Sequence, residues 1–258
     1  MYFLKLFIFF IVIATTSIVS AESRLQKILE TGKIRVGTTG DWNPMTMKDP
    51  STNEYKGFEI DIVAQLAEDM GVKLVLIPTE WKTLVNGIVS DKYDISTSAS
   101  LSVKRALSTG YTNSYFKLAT VPLTLKKNLS KFQSWEDINK KGVKVAVTLG
   151  TTQEQQAKQI FPKATLTIIE SPARDFQEVL AGRADVHITS NIEAATLVKQ
   201  YSNMSIVPVL EPKYPTPLAW LTPQEDQIWI NYLNHWIEIK KAQGFFDLMM
   251  DKYSLKSL

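Results

Sequence analysis

Short β-type runs alternate with helix-period windows along most of the chain, and the alternation comes in two successive series of similar size. In the first, residues 33–38 read as a strand that ends in the loop Gly40-Asp41-Trp42-Asn43-Pro44. A helix opens at Gly57, with Ile60, Val63, Leu66, Ala67 and Met70 at helical spacing and Gly71 as its stop. Residues 73–77 are the next strand, 81–89 a short helix and 94–97 a third strand. The second series runs strand 143–147, helix 154–160, strand 166–169, helix 176–180, strand 185–189 and helix 191–198, with Asn191 available as N-cap. Such a rhythm requires largely parallel sheets covered by helices, an α/β architecture.

Two series imply two lobes. The long extended run 115–125 suits a crossing from the first to the second, and the Pro-rich stretch 207–217 suits the return. Residues 218–221 and a helix at 227–241 then rejoin the first lobe. The expected division is residues 22–118 plus 218–258 for lobe 1 and 119–217 for lobe 2. Two crossings make a hinge, and a hinge makes a cleft.

Residues 1–21 combine Lys5, an apolar stretch at 6–14 and the small residues Val19-Ser20-Ala21, the pattern of a signal peptide cleaved after Ala21. No later segment is apolar enough to span a bilayer, so a periplasmic location without stable membrane insertion is expected. The chain is 45% hydrophobic with six Trp, enough to fill one large or two modest cores. With 0 Cys, disulfides, thiol nucleophiles and Cys-ligated metals are excluded. The net charge of +3 includes short Lys pairs at 126–127 and 140–141 without interleaved aromatics, which argues against nucleic acid as a partner. His187 and His235 lie in different elements without a third ligand, so no metal is expected, and His187 reads as a core histidine. Gly150-Thr151-Thr152 lacks the Lys of a phosphate loop, and no Gly-x-Ser-x-Gly elbow is present. No cofactor is expected.

Residues 93–105 (Tyr-Asp-Ile-Ser-Thr-Ser-Ala-Ser-Leu-Ser-Val-Lys-Arg) carry the most chemistry. An apolar strand opens into hydroxyls and ends on a guanidinium, so neutral donors and one planar fork converge where a carboxylate fits. Ser98, Ser100 and Arg105 are the candidate clamp.

The ordered set Gly57-Phe58-Glu59-Ile60-Asp61, Trp81-Lys82-Thr83-Leu84, Tyr93-Asp94-Ile95 with Arg105, residues 145–152 and Gly182-Arg183-Ala184-Asp185 resembles the periplasmic solute-binding proteins of polar amino-acid transporters. Thr39-Gly40-Asp41, Pro78-Thr79-Glu80-Trp81, Asn191-Ile192-Glu193-Ala194 and Ala219-Trp220-Leu221 are similar to the cyclohexadienyl dehydratases, exported enzymes built on the same fold. The resemblance implies a type II periplasmic binding protein-like fold, two α/β lobes joined by a two-strand hinge with the ligand cleft between them. It also implies aromatic walls at Trp42 and Trp81, carboxylate binding by Arg105, and lobe-two donors at Thr151 and Thr152, with Gln153 beside them. Where the receptors carry an amine-binding Asp, this chain has Ser190, leaving Asp41 or Glu193 as substitutes. Where the dehydratases carry Asn, it has Gln153. The expected function is capture of a small carboxylate-bearing ligand, an amino acid or organic acid, for an ABC transporter permease. The alternative is prephenate or arogenate dehydration with Glu193 as general acid.

Overall fold

The computed structural model describes residues 22–258; the expected signal peptide, residues 1–21, lies outside them. In chain order the elements of the first part are α1 (Arg24–Thr31), β1 (Lys33–Thr38), β2 (Asp41–Trp42), β3 (Thr46–Lys48), β4 (Tyr55–Lys56), α2 (Phe58–Asp69), β5 (Lys73–Pro78), α3 (Leu84–Val89), β6 (Ile95–Ser100), α4 (Val103–Ala106) and β7 (Gly110–Tyr111). Then come β8 (Phe116–Leu125), α5 (Trp135–Ile138), β9 (Lys144–Thr148), α6 (Thr152–Ile160), β10 (Thr165–Ile169), α7 (Asp175–Leu180), β11 (Val186–Ser190), α8 (Asn191–Gln200), β12 (Met204–Ile206), β13 (Lys213–Thr222), α9 (Gln227–Ala242) and α10 (Phe245–Lys252).

The main sheet has the order β10-β9-β11-β8-β13-β6-β1-β5. β1 pairs in parallel with β5 and β6, and β9 pairs in parallel with β10 and β11. Between these two parallel groups stand the antiparallel strands β8 and β13. Leu218 of β13 pairs with Phe116 of β8 on one side and with Ser100 of β6 on the other, while Thr120 of β8 faces Ser190 of β11. These two long strands are the hinge, and each belongs to both lobes.

Packing follows the lobes. Buried faces of α2 (Phe58, Ile62, Val63, Leu66) and α9 (Trp229, Leu233, Trp236, Ile237) share one core with Ile34, Val36, Trp220 and Phe246. The α9 residues recur at helical spacing, which lets one stripe bury four large side chains while Lys241 stays exposed. Around β9 and β11 two further clusters form, one on Val121, Leu123, Ala146 and Leu197 and one on Trp135, Val145, Phe161 and Ile188.

Several elements differ from expectation. Residues 81–89 split into a 3₁₀ turn at Trp81–Thr83 and α3, because the Glu80 and Thr83 side chains each bond the other's backbone. Strand 94–97 extends to Ser100, and helix 154–160 starts two residues earlier behind Thr151. The N-cap of α8 is Ser190 and not Asn191: the Ser190 hydroxyl accepts from the Glu193 amide, whereas the Asn191 side-chain carbonyl accepts from Ala119 across the hinge. Only residues 213–217 of the Pro-rich stretch are strand. α10 carries no distinguishing sequence signal.

Candidate functional site

The carboxyl ends of β1, β6, β9 and β11 converge on the crevice between the lobes, the usual place for a ligand in an α/β sheet. A narrow cavity lies there, lined by residues of both lobes, the kind of concave setting in which small-molecule sites occur.

From lobe 1, β2 and the turn before α3 supply Trp42 and Trp81, which meet edge to face with centroids 5.8 Å apart. β6 supplies Ser98 and Ser100, and α4 supplies Arg105. The Arg105 guanidinium is 6% exposed; Nη1 donates to the Ser100 carbonyl (3.2 Å) and Nη2 reaches across the cleft to the Gly150 carbonyl (3.1 Å). Burial lowers its pKa, and among the described residues no carboxylate lies within ion-pair distance of it. A buried cation without a counter-charge would gain from an anion beside it.

From lobe 2, Thr151, Thr152 and Gln153 line the mouth of α6. Thr151 is the N-cap: its hydroxyl accepts from the Glu154 amide and donates to the Thr148 carbonyl, so the hydroxyl is spent on structure. The first-turn amides of α6 keep their anion-attracting character. Ser190 lines the cavity too, with its hydroxyl engaged as the α8 cap.

Two expectations change in detail. The Ser98 hydroxyl donates to buried Glu59, so it does not serve as a free clamp donor. Ser98 also holds φ 64°, a conformation rare for a residue with a side chain and here imposed beside the site. Asp41 is not part of the cavity wall. It accepts from the Trp81 indole (2.9 Å) and lies 3.8 Å from Arg174, which fixes one aromatic wall from behind.

Sequence reasoning missed a charged group in lobe 2. Arg174 donates to Glu193 at 2.6 Å, and Thr189 donates to the second Glu193 oxygen. His187, 1% exposed, lies with Nδ1 3.2 Å from an oxygen of Asp175. Burial works to raise the Asp175 carboxyl, but the charge and hydrogen bond of His187, together with Arg174 and Thr148, outweigh it and hold Asp175 below its usual value. Burial likewise works to lower His187, and the charge and hydrogen bond of Asp175 with the charge of Glu193 together outweigh it and raise the imidazole. Arg174, Asp175, His187, Thr189 and Glu193 all line the cavity, so His187 belongs to the site wall as well as to the interior. A signal existed: His187 and Thr189 alternate on one face of a strand, and Thr189 and Glu193 stand four apart across the strand-to-helix cap.

The lobes are closed on each other. Gly150 (φ 82°) abuts the backbone of Lys82, where an added Cβ would stand 2.5 Å from the Lys82 Cα. Lys82 pairs with Glu170, and Ser171 meets Asp41, both across the cleft. Among the described residues no cluster of three metal-ligating side chains occurs, and no helix is long and apolar enough to cross a membrane.

Comparison with known proteins agrees with this architecture. The cyclohexadienyl dehydratase of Pseudomonas aeruginosa is 31% identical over 242 residues, covering 93% of this chain and 90% of that protein. The crystal structure of the ancestral amino acid-binding protein AncCDT-1, a precursor of cyclohexadienyl dehydratase, matches with a TM-score of 0.83 at 34% identity, over 90% of this chain and 99% of that one. An amino acid ABC transporter substrate-binding protein from Streptococcus pneumoniae bound to L-arginine matches with a TM-score of 0.83 at 20% identity, over 92% and 100%, a likeness of fold alone. The fold is that of the type II periplasmic binding proteins. The family model for bacterial extracellular solute-binding proteins, family 3, spans residues 34–256, and the chain belongs to that family.

Proposed function

We propose that this protein is a periplasmic receptor that closes its two lobes on a small carboxylate-bearing ligand and presents it to an ABC transporter permease. The observation that carries the reading is Arg105, a buried guanidinium in lobe 1 with no counter-charge, whose second donor already reaches lobe 2. A carboxylate there gains a bidentate partner and, through Gly150, favours the closed form. Trp42 and Trp81 offer apolar walls to the rest of the ligand. The expected division, residues 22–118 plus 218–258 against 119–217, fits a receptor whose hinge is β8 and β13.

Dehydration of prephenate or arogenate is the second reading. It is favoured by Glu193, buried in the cavity wall, and by the similarity to the Pseudomonas aeruginosa enzyme. A general acid has to hold a proton directed at the leaving hydroxyl. Both Glu193 oxygens are instead occupied as acceptors, from Arg174 and Thr189. Gln153 also stands where the dehydratases have Asn.

One experiment separates the two. The mature chain is titrated by calorimetry with amino acids and organic acids and incubated with prephenate, the product being read by its alkaline absorbance. A receptor binds at least one acid and turns over no prephenate. Turnover abolished in Glu193→Gln, with binding retained, would establish the enzyme and refute the receptor.

A further inference from the structure

β6 does not run straight into the cleft. Against β13, Ser96 pairs with Leu221 and Ala99 with Ala219, so Thr97 and Ser98 together stand opposite the single residue Trp220, a β-bulge. Pairing with β1 on the other side ends at Ser96. Ser98 carries the bulge at φ 64°, a left-handed conformation that glycine adopts freely and serine does not. Beyond the bulge, the Ser100 carbonyl accepts from Arg105 Nη1 at 3.2 Å and from the Tyr111 hydroxyl at 3.1 Å. The place of the guanidinium therefore follows from the course of the strand.

What holds a serine in that conformation lies behind the strand, outside the cavity wall. The Ser98 hydroxyl donates to Glu59 Oε2 at 2.5 Å, and the Tyr115 hydroxyl donates to the other oxygen. Tyr115 directly precedes β8 and packs on Trp220, the β13 residue opposite the bulge, with centroids 5.5 Å apart. One buried carboxyl on α2 thus ties the bulge to both hinge strands. Its partners from β6 and from the start of β8 are hydroxyls, with no cation among them. Tyr115 is itself titratable and is stacked on Phe246 of α10, while Asp61, on the same helix as Glu59, is engaged by Lys252 and Tyr253.

We infer that Glu59 is a positioning residue of the ligand clamp: by holding the Ser98 bulge it fixes the Ser100 carbonyl and, through it, the Arg105 guanidinium, in register with the hinge. The inference rests on the receptor reading above. It has an electrostatic consequence. A ligand carboxylate on Arg105 brings negative charge to the far side of the bulge and favours the protonated form of Glu59. Burial pushes that carboxyl up to about 7, so affinity is highest below this pH and falls as pH rises through it.

The test is calorimetric titration of the mature chain with L-arginine, L-glutamine, L-phenylalanine and phenylpyruvate, the tightest of them serving for the variants. Ser98→Ala keeps a Cβ at the strained φ and removes the bond, and it is expected to lose about tenfold or more in affinity. Ser98→Gly removes bond and strain together and is expected to bind about threefold or more tighter than Ser98→Ala. If it does not, the loss belongs to the hydroxyl itself and the inference fails. Glu59→Gln keeps the shape and can serve both hydroxyls, so it is expected to stay within about threefold of wild type at about pH 5.5. From there to about pH 8.5 the wild type is expected to lose about threefold more affinity than this variant. Parallel pH profiles, or Ser98→Ala binding like wild type, would overturn the inference and leave the receptor standing. Absence of binding by every probe would overturn both.

Discussion

Glu59 lies in the first turn of α2, fully buried behind the strand that carries Ser98, and accepts hydrogen bonds from Ser98 and Tyr115. Burial raises its pKa from 4.5 to about 7, even though both hydrogen bonds pull the other way. A carboxyl raised in the folded state stabilises the fold while it is protonated. Its contribution is complete below the unfolded value and is lost as pH rises through about 7. A difference of about 2.5 pKa units amounts to about 3 kcal/mol in full, of which about 2.5 kcal/mol disappears between about pH 5 and about pH 8.5. Glu59→Gln keeps the shape and removes the titration. The measurement is the melting temperature of both proteins across that range, using the change in their difference so that all other titrating groups cancel. The wild type is expected to lose about 5–10 °C relative to the variant on going from acid to alkaline pH, since each kcal/mol moves a chain of this size by about 2–4 °C. Parallel curves would show that Glu59 does not titrate in this window and would refute the argument.

Three further outcomes are expected. Arg105→Lys keeps the charge and loses the planar fork, and calorimetry should show affinity for the best carboxylate ligand falling about tenfold or more. Gly150→Ala places a Cβ 2.5 Å from the Lys82 Cα at a backbone φ of 82°, so ligand affinity should drop because the closed form is blocked; unchanged affinity would mean that closure does not bring these segments together. Lys82→Ala removes a cross-cleft ion pair whose partners are 38% and 55% exposed; solvent screening limits its worth to under about 1 kcal/mol, so affinity should change less than about fivefold.

Read alone, the chain determines the alternation of strands and helices, both hinge segments and the Arg105 loop, because each is written in local periodicity or in a few neighbouring residues. Trp42, Trp81, Thr151 and Thr152 entered through the family resemblance, and the fold brings all four to one cavity. What only the tertiary structure decided is where each polar group spends its hydrogen bonds. Ser98 looks like a ligand donor until the fold places Glu59 behind it, 39 positions away in sequence. Asp41 looks like a ligand partner until Trp81 and Arg174 engage it. Arg174 and Glu193 are 19 residues apart, on a loop and a helix, and His187 meets Asp175 only through the packing of α7 against β11. Burial makes such partnerships decisive, because a charge removed from water is stable only beside its complement, and no local pattern records which distant residue supplies it.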